Sequence, residues 1–367
     1  MKSLFFSFVF CCCTVISLHS QVQVVQGTVY DSKTQEAIPG VVVYLDGTSV
    51  FTTSDIDGKF RLQIQKGINA SLIFSHLSYE LLTLTNPLEH HIESFFLKEK
   101  NDTLMEARVV ANRNQFSRKA MMRVFREQFL GTSTAGKSAI ILNEDDIVLH
   151  FDLATNRLTA YAENPIIIEN KYLAYRVFYN LQHFSIQFNY RTLFVTNGAY
   201  ISINGSSFFE DQSHGNSMFA IRRDEVYVCS KEYFWRNFVA HTLEEAKISI
   251  YNDSKKINLS QYFSIMNLNL LSREKKVVQI IPDTNIMKYH KDVKNRVVHG
   301  VIRVEFPGGI DSEIVFLTNG FSVSESGNIE NQNIIYLGHM GQQRLGNSLP
   351  LDYVYTPPPP GPRRRGR

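Results

Sequence analysis

The chain has 367 residues, 44% of them hydrophobic, and a formal net charge of +3 at pH 7. Lys2 and the four arginines among the last five residues carry more than this excess, so the rest of the chain is slightly negative. A body this close to neutral lacks the broad basic surface that binds nucleic acid, and we exclude nucleic acid as a partner. The length is sufficient for two domains.

Residues 1–20 predict a secretory signal peptide. Lys2 supplies the positive start, residues 4–16 are apolar but short for a membrane span, and Ser20 is a small residue before the expected cleavage point. Leu18 stands at a position near the cleavage point where a small residue is preferred. A lipoprotein signal is the alternative, although residues 11–13, all cysteines, come early for lipidation. We therefore expect export, to the periplasm or to the outer membrane or cell surface.

Cleavage there would leave Cys229 alone of the four cysteines. The mature chain could then form no internal disulfide, so its fold would depend on its apolar cores. Cys229 follows an apolar run, which indicates a buried side chain rather than a reactive thiol.

Residues 21–98 predict a small β-sandwich. Short β-rich runs are separated by turn dipeptides such as Asp46-Gly47 and Asp57-Gly58. Residues 59–64 alternate strictly, which places Phe60, Leu62 and Ile64 on one face. The predicted strands span residues 22–25, 41–45, 59–64, 70–75, 80–85 and 94–97.

This part of the chain resembles the carboxypeptidase-regulatory-like (transthyretin-like) sandwich domain found in many exported Bacteroidota proteins. The likeness is carried by Gly27-Thr28-Val29, Ile38-Pro39-Gly40-Val41, Asp46-Gly47-Thr48 and Asp55-Ile56-Asp57-Gly58-Lys59-Phe60. The resemblance implies an exported module without catalytic residues. In peptidases that bear this sandwich the catalytic domain precedes it, and here only the leader does, so we do not expect a peptidase.

Residues 99–117 predict a linker, and residues 118–350 predict a second, β-rich α+β domain with two helices. Four apolar side chains share one face of the first helix, at residues 118–130, and aromatic residues crowd the second, at 231–247. Strands are expected at residues 139–142, 147–149, 165–168, 173–178 and 184–188. A second likeness is carried by Phe129-Leu130-Gly131-Thr132-Ser133, Pro165-Ile166-Ile167-Ile168-Glu169-Asn170, Leu173-Ala174-Tyr175-Arg176-Val177 and Arg222-Arg223-Asp224-Glu225-Val226-Tyr227. Through these segments, residues from about 117 to 260 resemble uncharacterised Bacteroidota proteins that join this sandwich to a second β domain, which implies location and fold but no chemistry.

Residues 351–367, rich in Pro and Arg, predict a disordered tail. Its arginines suit either a solubilising end or peripheral contact with an anionic membrane.

Residues 131–138 fit the phosphate-loop pattern letter for letter. That loop works between a buried strand and a following helix, so that backbone amides hold the phosphates. Here a helix precedes the motif and a strand follows it. We therefore predict a turn that ends the helix, not a nucleotide site.

The remaining candidates are weaker. His90-His91-Ile92-Glu93 and His241-Thr242-Leu243-Glu244 contain the His and Glu spacing of a zinc peptidase. In a chain with this many His and Glu residues such matches also arise by chance, so they carry little weight. Asp55-Ile56-Asp57-Gly58 lacks the further oxygen ligands of a calcium loop and predicts a turn. Residues 213–217 contain Ser and His without a nucleophile elbow and predict a loop.

The sequence thus predicts a mostly β protein, with an N-terminal transthyretin-like β-sandwich followed by a second β-rich α+β domain. We expect a non-enzymatic envelope protein with a binding or structural role and a protein or glycan partner. No catalytic, cofactor-binding or metal-binding residue is assigned, and no cofactor is expected. The alternative is a hydrolase of peptide or glycan that uses Glu144, Asp145, Asp146 and His214. Tyr and Phe residues within 172–194 are the expected contact residues of an assembly role.

Overall fold

The computed structural model describes residues 22–65, 68, 70–88, 92–100, 116–195, 200–270, 273–281, 285–291, 296–324, 326–329 and 333–356. The predicted fold class is confirmed: the protein is mostly β, and it begins with a β-sandwich. The predicted signal peptide, most of the predicted linker, the His90-His91 pair and the arginine cluster lie outside the described residues.

The N-terminal sandwich has two sheets around one apolar core. Its strands are β1 (Val22–Asp31), β2 (Val42–Leu45), β3 (Phe51–Thr53), β4 (Lys59–Gln65), β5 (Leu72–His76), β6 (Tyr79–Leu84) and β7 (Ser94–Leu97). One sheet has the order β4-β1-β7 and the other β3-β2-β5-β6. The predicted alternation on β4 is confirmed, with Phe60, Leu62 and Ile64 buried between exposed neighbours.

The middle unit, residues 116–211, is a six-stranded sheet with one long helix on its core face. Its elements are α1 (Arg118–Phe129), α2 (Thr134–Ser138), β8 (Ala139–Ile141), β9 (Ile147–Asp152), β10 (Arg157–Ala162), β11 (Ile166–Asn170), β12 (Tyr175–Gln187) and β13 (Tyr200–Asp211). Ser117 caps α1 by accepting from Ala120 N, and the predicted apolar face of this helix is buried. β12 pairs with β10 and β11 along one edge and with β13 along the other.

The third unit, residues 228–342, has its own core around Trp235 and Phe316. It follows the connecting helix α3 (Ser217–Tyr227). Its elements are α4 (Lys231–Ala240), β14 (Ser249–Asn252), β15 (Lys255–Lys256), β16 (Phe263–Leu270), β17 (Arg273–Ile280), β18 (Gly300–Phe306), β19 (Ile310–Phe316), β20 (Gly320–Ser324), β21 (Ile334–Leu337) and α5 (Gly338–Gln342). The sheets have the orders β15-β14-β18-β19-β21 and β16-β17-β20. Cys229 is buried here as predicted, and burial raises the pKa of its thiol.

Two differences from the sequence expectations concern helices within residues 118–350. The described residues of this range, which the sequence assigns to one domain, form two large hydrophobic cores. The second predicted helix ends at Ala240 rather than residue 247, because His241 takes a left-handed conformation with φ 59° and Thr242 N bonds back to Asn237 O. Helix α3 was not predicted, since its Met218 and Ile221 are exposed and give no apolar period.

Residues 351–356, which the sequence assigned to a disordered tail, pack against the body of the protein. The Leu351 amide donates to Gly47 O at 2.7 Å, and the Tyr353 hydroxyl donates to Asp224. No helix among the described residues is both long and apolar enough to cross a membrane.

Candidate functional site

The sandwich is docked onto the middle unit through the outer faces of β2 and β5. Tyr44 and Ile73 point away from the sandwich core and bury Phe208 of β13. The Tyr44 and Phe208 ring centroids lie 4.9 Å apart, and Phe208 stacks on Phe178 at 4.6 Å with 6° between the planes. Aromatic rings in this arrangement give large apolar burial with defined geometry. The docking is therefore a packed interface.

A buried polar cluster lies inside this interface. The Tyr44 hydroxyl is 2.7 Å from Ser206 Oγ, and it accepts a hydrogen bond of 2.7 Å from Asn180 Nδ2. Burial raises the pKa of Tyr44 to about 12, so its hydroxyl stays protonated at neutral pH. Polar groups buried with partners fix the relative position of two surfaces more strongly than apolar contact alone.

The Asp46-Gly47 turn pairs with the outer edge of β13. Gly47 N donates to Ser207 O at 2.7 Å, Ser207 N donates to the Asp46 carboxylate at 2.8 Å, and Phe209 N donates to Thr48 O at 2.9 Å. Gly47 has φ 72°, which a glycine adopts without strain. The turn thus covers part of an edge strand that would otherwise be open.

Residues 343–356, which we call the strap, run across all three units. Gly346 N donates to Leu130 O at 3.0 Å, and Gly346 O accepts from Asn170 Nδ2 at 2.8 Å. Farther along, the Asp352 carboxylate accepts from Ser49 N at 2.8 Å and also from the Ser49 hydroxyl. The strap therefore joins the middle unit to the sandwich.

Arg236 of α4 attaches the third unit to the strap. Its guanidinium donates to Leu351 O at 2.8 Å, to Tyr353 O at 3.3 Å and to Ser326 O at 2.8 Å, and also to the Tyr227 hydroxyl. Within the described part of the chain Arg236 forms no ion pair with a carboxylate. Its charge is balanced by carbonyl dipoles and by the Tyr227 ring, 5.4 Å from the guanidinium carbon to the ring centroid.

A cleft of about 540 Å³, which we call the junction cleft, lies where the middle and third units meet the strap. This size falls in the usual range for small-molecule and peptide sites. Its walls are Phe129 and Tyr179 of the middle unit, the β13 edge, the start of α4 and the strap. The Asp, Glu, Lys and Arg side chains that line it are Lys231, Glu232, Arg236 and Arg344. The lining thus has an excess of positive charge.

Arg344 is a half-buried cation in this lining whose hydrogen-bond partners are carbonyl oxygens. Its Nη1 donates to two carbonyl oxygens of its own segment, Gly341 O at 2.7 Å and Gln343 O at 2.8 Å. No carboxylate of the described residues forms an ion pair with it. Burial lowers the pKa of the Arg344 guanidinium below its usual range. A half-buried cation without an acidic partner favours an anionic ligand.

Residues 131–138, which fit the phosphate-loop pattern, form a tight turn followed by the short helix α2. Ser133 caps the short helix α2 by accepting from Gly136 N at 3.0 Å, and Lys137 is exposed. A Cβ on Gly136 would lie 2.6 Å from Gly131 O, so the loop packs tightly on itself. The predicted turn ends α1 at residues 131–133, whereas residues 134–138, also predicted as part of this turn, form the short helix α2 before β8.

The residues of the hydrolase alternative are engaged in local structure. Glu144 binds Arg126 through both carboxylate oxygens, and Asp146 accepts from Asn143 Nδ2 at 3.0 Å. His214 lies in a left-handed turn, with φ 48°, just before α3. None of Glu144, Asp145, Asp146 and His214 lines the junction cleft.

The other motifs form turns. Asp55 Oδ1 accepts from Asp57 N at 3.0 Å and from Lys59 N at 2.8 Å, which satisfies this carboxylate within its own turn. His241 and Glu244 are exposed at the end of α4. Across the ranges described above, no three His, Cys, Asp or Glu side chains are grouped as metal ligands.

Residues 25–110 match the CarboxypepD_reg-like domain family. The N-terminal sandwich is a CarboxypepD_reg-like domain. The match begins within β1 and runs past β7, and it confirms the predicted carboxypeptidase-regulatory-like module. A domain of this family is a regulatory or binding module rather than a catalytic one. No curated protein matches the chain.

The cleft and the docking of the CarboxypepD_reg-like domain were not predicted. One signal was present in the sequence: residues 41–45 and 72–74 are apolar at every position. A strand in a sandwich with one face in water alternates, so an unbroken apolar run indicates that both faces are covered. The sequence contains no comparable signal for the strap.

Proposed function

We propose that this protein is a non-enzymatic binding protein of the bacterial envelope, exported to the periplasm or the outer membrane, whose ligand occupies the junction cleft and carries an anionic group. The observation behind this proposal is Arg344, a half-buried cation beside the cleft with carbonyl partners only. The CarboxypepD_reg-like domain supports a binding role. The leader supports export.

The excess of Lys231, Arg236 and Arg344 over Glu232 favours ligands with carboxylate or phosphate groups. In the envelope these occur on acidic glycans and on polypeptides, which agrees with a protein or glycan partner. Hydrolysis has less support, because the residues of that alternative lie outside the cleft.

Thermal unfolding with matched probes tests the proposal. Galacturonate and triglutamate are the anionic probes, and galactose and triglutamine are their neutral counterparts, all at constant ionic strength. We expect only the anionic probes to raise Tm, since a ligand that binds the folded state alone stabilises it, by about 2.7 kcal/mol at a concentration one hundred times Kd.

Two variants and one control sharpen this test. Arg344→Gln and Lys231→Gln should reduce the shift, whereas Arg191→Gln, at an exposed arginine outside the cleft, should keep it. Equal shifts with neutral probes, or a full shift in Arg344→Gln, would contradict anion binding in the cleft. Sustained turnover of peptide or glycan substrates by the purified protein would contradict the non-enzymatic role.

A further inference from the structure

The described residues cover the outer edge of β13 only in part. Ser207 and Phe209 bond to the Asp46-Gly47-Thr48 turn through outward-facing backbone groups. Along an edge strand such groups recur at every second residue, so the next outward positions are Gly205 and Ile203. Apart from the ladder with β12, no described residue bonds to the backbone of either one.

These two positions line the junction cleft. Open N–H and C=O groups on an edge strand are a template for another extended segment. Gly205 brings the backbone into direct reach, because it carries no side chain. A Cβ there would lie 2.5 Å from the Tyr179 ring and 2.3 Å from Asn180 O, so the site requires glycine.

Charge complementarity restricts what the edge can accept. Arg344, Lys231 and Arg236 lie beside the same cleft with one acidic residue, Glu232. The chain's own tail fits poorly, because residues 357–360 are prolines without N–H donors and arginines follow them. An extended segment with a carboxylate matches both the edge and the cations.

We propose that the ligand is an extended peptide segment that pairs with β13 at Ile203 and Gly205 and places a carboxylate beside Arg344. This inference rests on the proposed function, in which the cleft holds an anionic ligand. Strand addition of this kind takes affinity from main-chain hydrogen bonds and specificity from flanking side-chain pockets. The Asp46-Gly47-Thr48 turn already uses the adjoining part of this edge in the same way.

The test uses the full protein and alters the peptide, because a substitution at Gly205 would disturb Tyr179. The probe is a fluorescein-labelled pool of pentapeptides built from Val, Thr, Ser and Tyr with a free C-terminal carboxylate, measured by fluorescence anisotropy. The tightest member is then made in three further forms: a C-terminal amide and two peptides N-methylated at alternate amides, one for each edge.

We expect one N-methylated form to bind about tenfold more weakly and the other to bind as the parent does, because only one edge of the peptide faces β13. The amide form should also bind about tenfold more weakly, and Arg344→Gln should remove the difference between acid and amide. Arg191→Gln is the control and should preserve every difference.

Equal effects of the two N-methylation patterns would overturn the edge pairing, and so would a pool in which no member binds. If the two N-methylated forms bind equally but the acid still binds better than the amide through Arg344, the proposed anion site stands without the edge pairing. If no peptide binds, the thermal-unfolding test decides separately whether the anion site stands. If affinity depends neither on which amides are N-methylated nor on whether the C-terminus is an acid or an amide, both proposals are overturned.

Discussion

The Tyr44 hydroxyl of the CarboxypepD_reg-like domain lies 2.7 Å from Ser206 Oγ on β13, within an interface where Tyr44 is fully buried. Asn180 donates to the same hydroxyl, so one oxygen links two neighbouring strands of the middle unit to the sandwich. Because the surrounding contacts are aromatic and apolar, this cluster sets the register of the docking. We expect the sandwich and the middle unit to unfold together.

Tyr44→Phe tests this link. The variant keeps the ring but leaves the Ser206 hydroxyl and the Asn180 amide without their buried partner, which costs about 1–3 kcal/mol of unfolding free energy. Urea denaturation gives the value. Tyr190→Phe is the matched control, because Tyr190 is 77% exposed, and it should change stability by less than about 0.5 kcal/mol. A Tyr44→Phe protein as stable as the parent would argue against the cluster.

Gly205→Ala should destabilise the middle unit by about 1–3 kcal/mol, the usual cost of overpacking a core. The added methyl group would meet Asn180 O at 2.3 Å and the Tyr179 ring at 2.5 Å. Gly320→Ala, also at a strand glycine, is the control, because its new Cβ would have no neighbour nearer than 3.6 Å. Thermal denaturation of both variants distinguishes them, and equal Tm values would contradict the close packing at Gly205.

Arg236→Gln should loosen the strap while the three cores stay folded. The shorter amide cannot reach the Leu351, Tyr353 and Ser326 carbonyls at once, so not all of these part-buried acceptors keep a donor. Hydrogen–deuterium exchange should show faster exchange in residues 343–356 and little change in β4 or β18. Arg191→Gln serves as the control, and unchanged protection of the strap in Arg236→Gln would count against this role.

The Arg223–Asp211 pair predicts a pH dependence of stability. Arg223 donates to both Asp211 oxygens, at 2.8 and 2.9 Å, and these bonds hold the pKa of Asp211 well below its usual range. Because the folded state lowers this pKa, the stabilisation is present above the ordinary value of about 3.9 and is lost as the pH falls below it.

Asp211→Asn should therefore lower the unfolding free energy at pH 6 by about 1.5–3 kcal/mol, toward the lower figure because the carboxylate is half exposed. At pH 3 the difference from the parent should shrink. Asp145→Asn, at an exposed position, should keep the parent's pH profile. Urea titrations at the two pH values measure this, and a difference that does not change with pH would refute the assignment.

The sequence predicts local structure where one hydrophobic period dominates a segment. Strand β4 alternates and α1 has one apolar face, and both were predictable. The docking of the sandwich on the middle unit was not predictable. Apolar residues on the outer faces of β2 and β5 indicate that something covers them, but they do not identify the surface that does. The strap depends on Arg236, which lies 115 residues before Leu351 in the sequence, and no short-range pattern encodes such a contact. The cleft follows from both, so it could not be predicted either.

The two ends of the described chain lie on the same side of the CarboxypepD_reg-like domain. Val22, the first residue of β1, pairs with Gln65, and Tyr355 of the strap lines a hollow together with Gln65 and Ile68. An anchor fused to either end would therefore hold the folded body in nearly the same orientation. A short engineered loop could also join the two ends, and a circular permutant reopened at exposed turn residues such as Asp55-Ile56-Asp57 would retain all three cores.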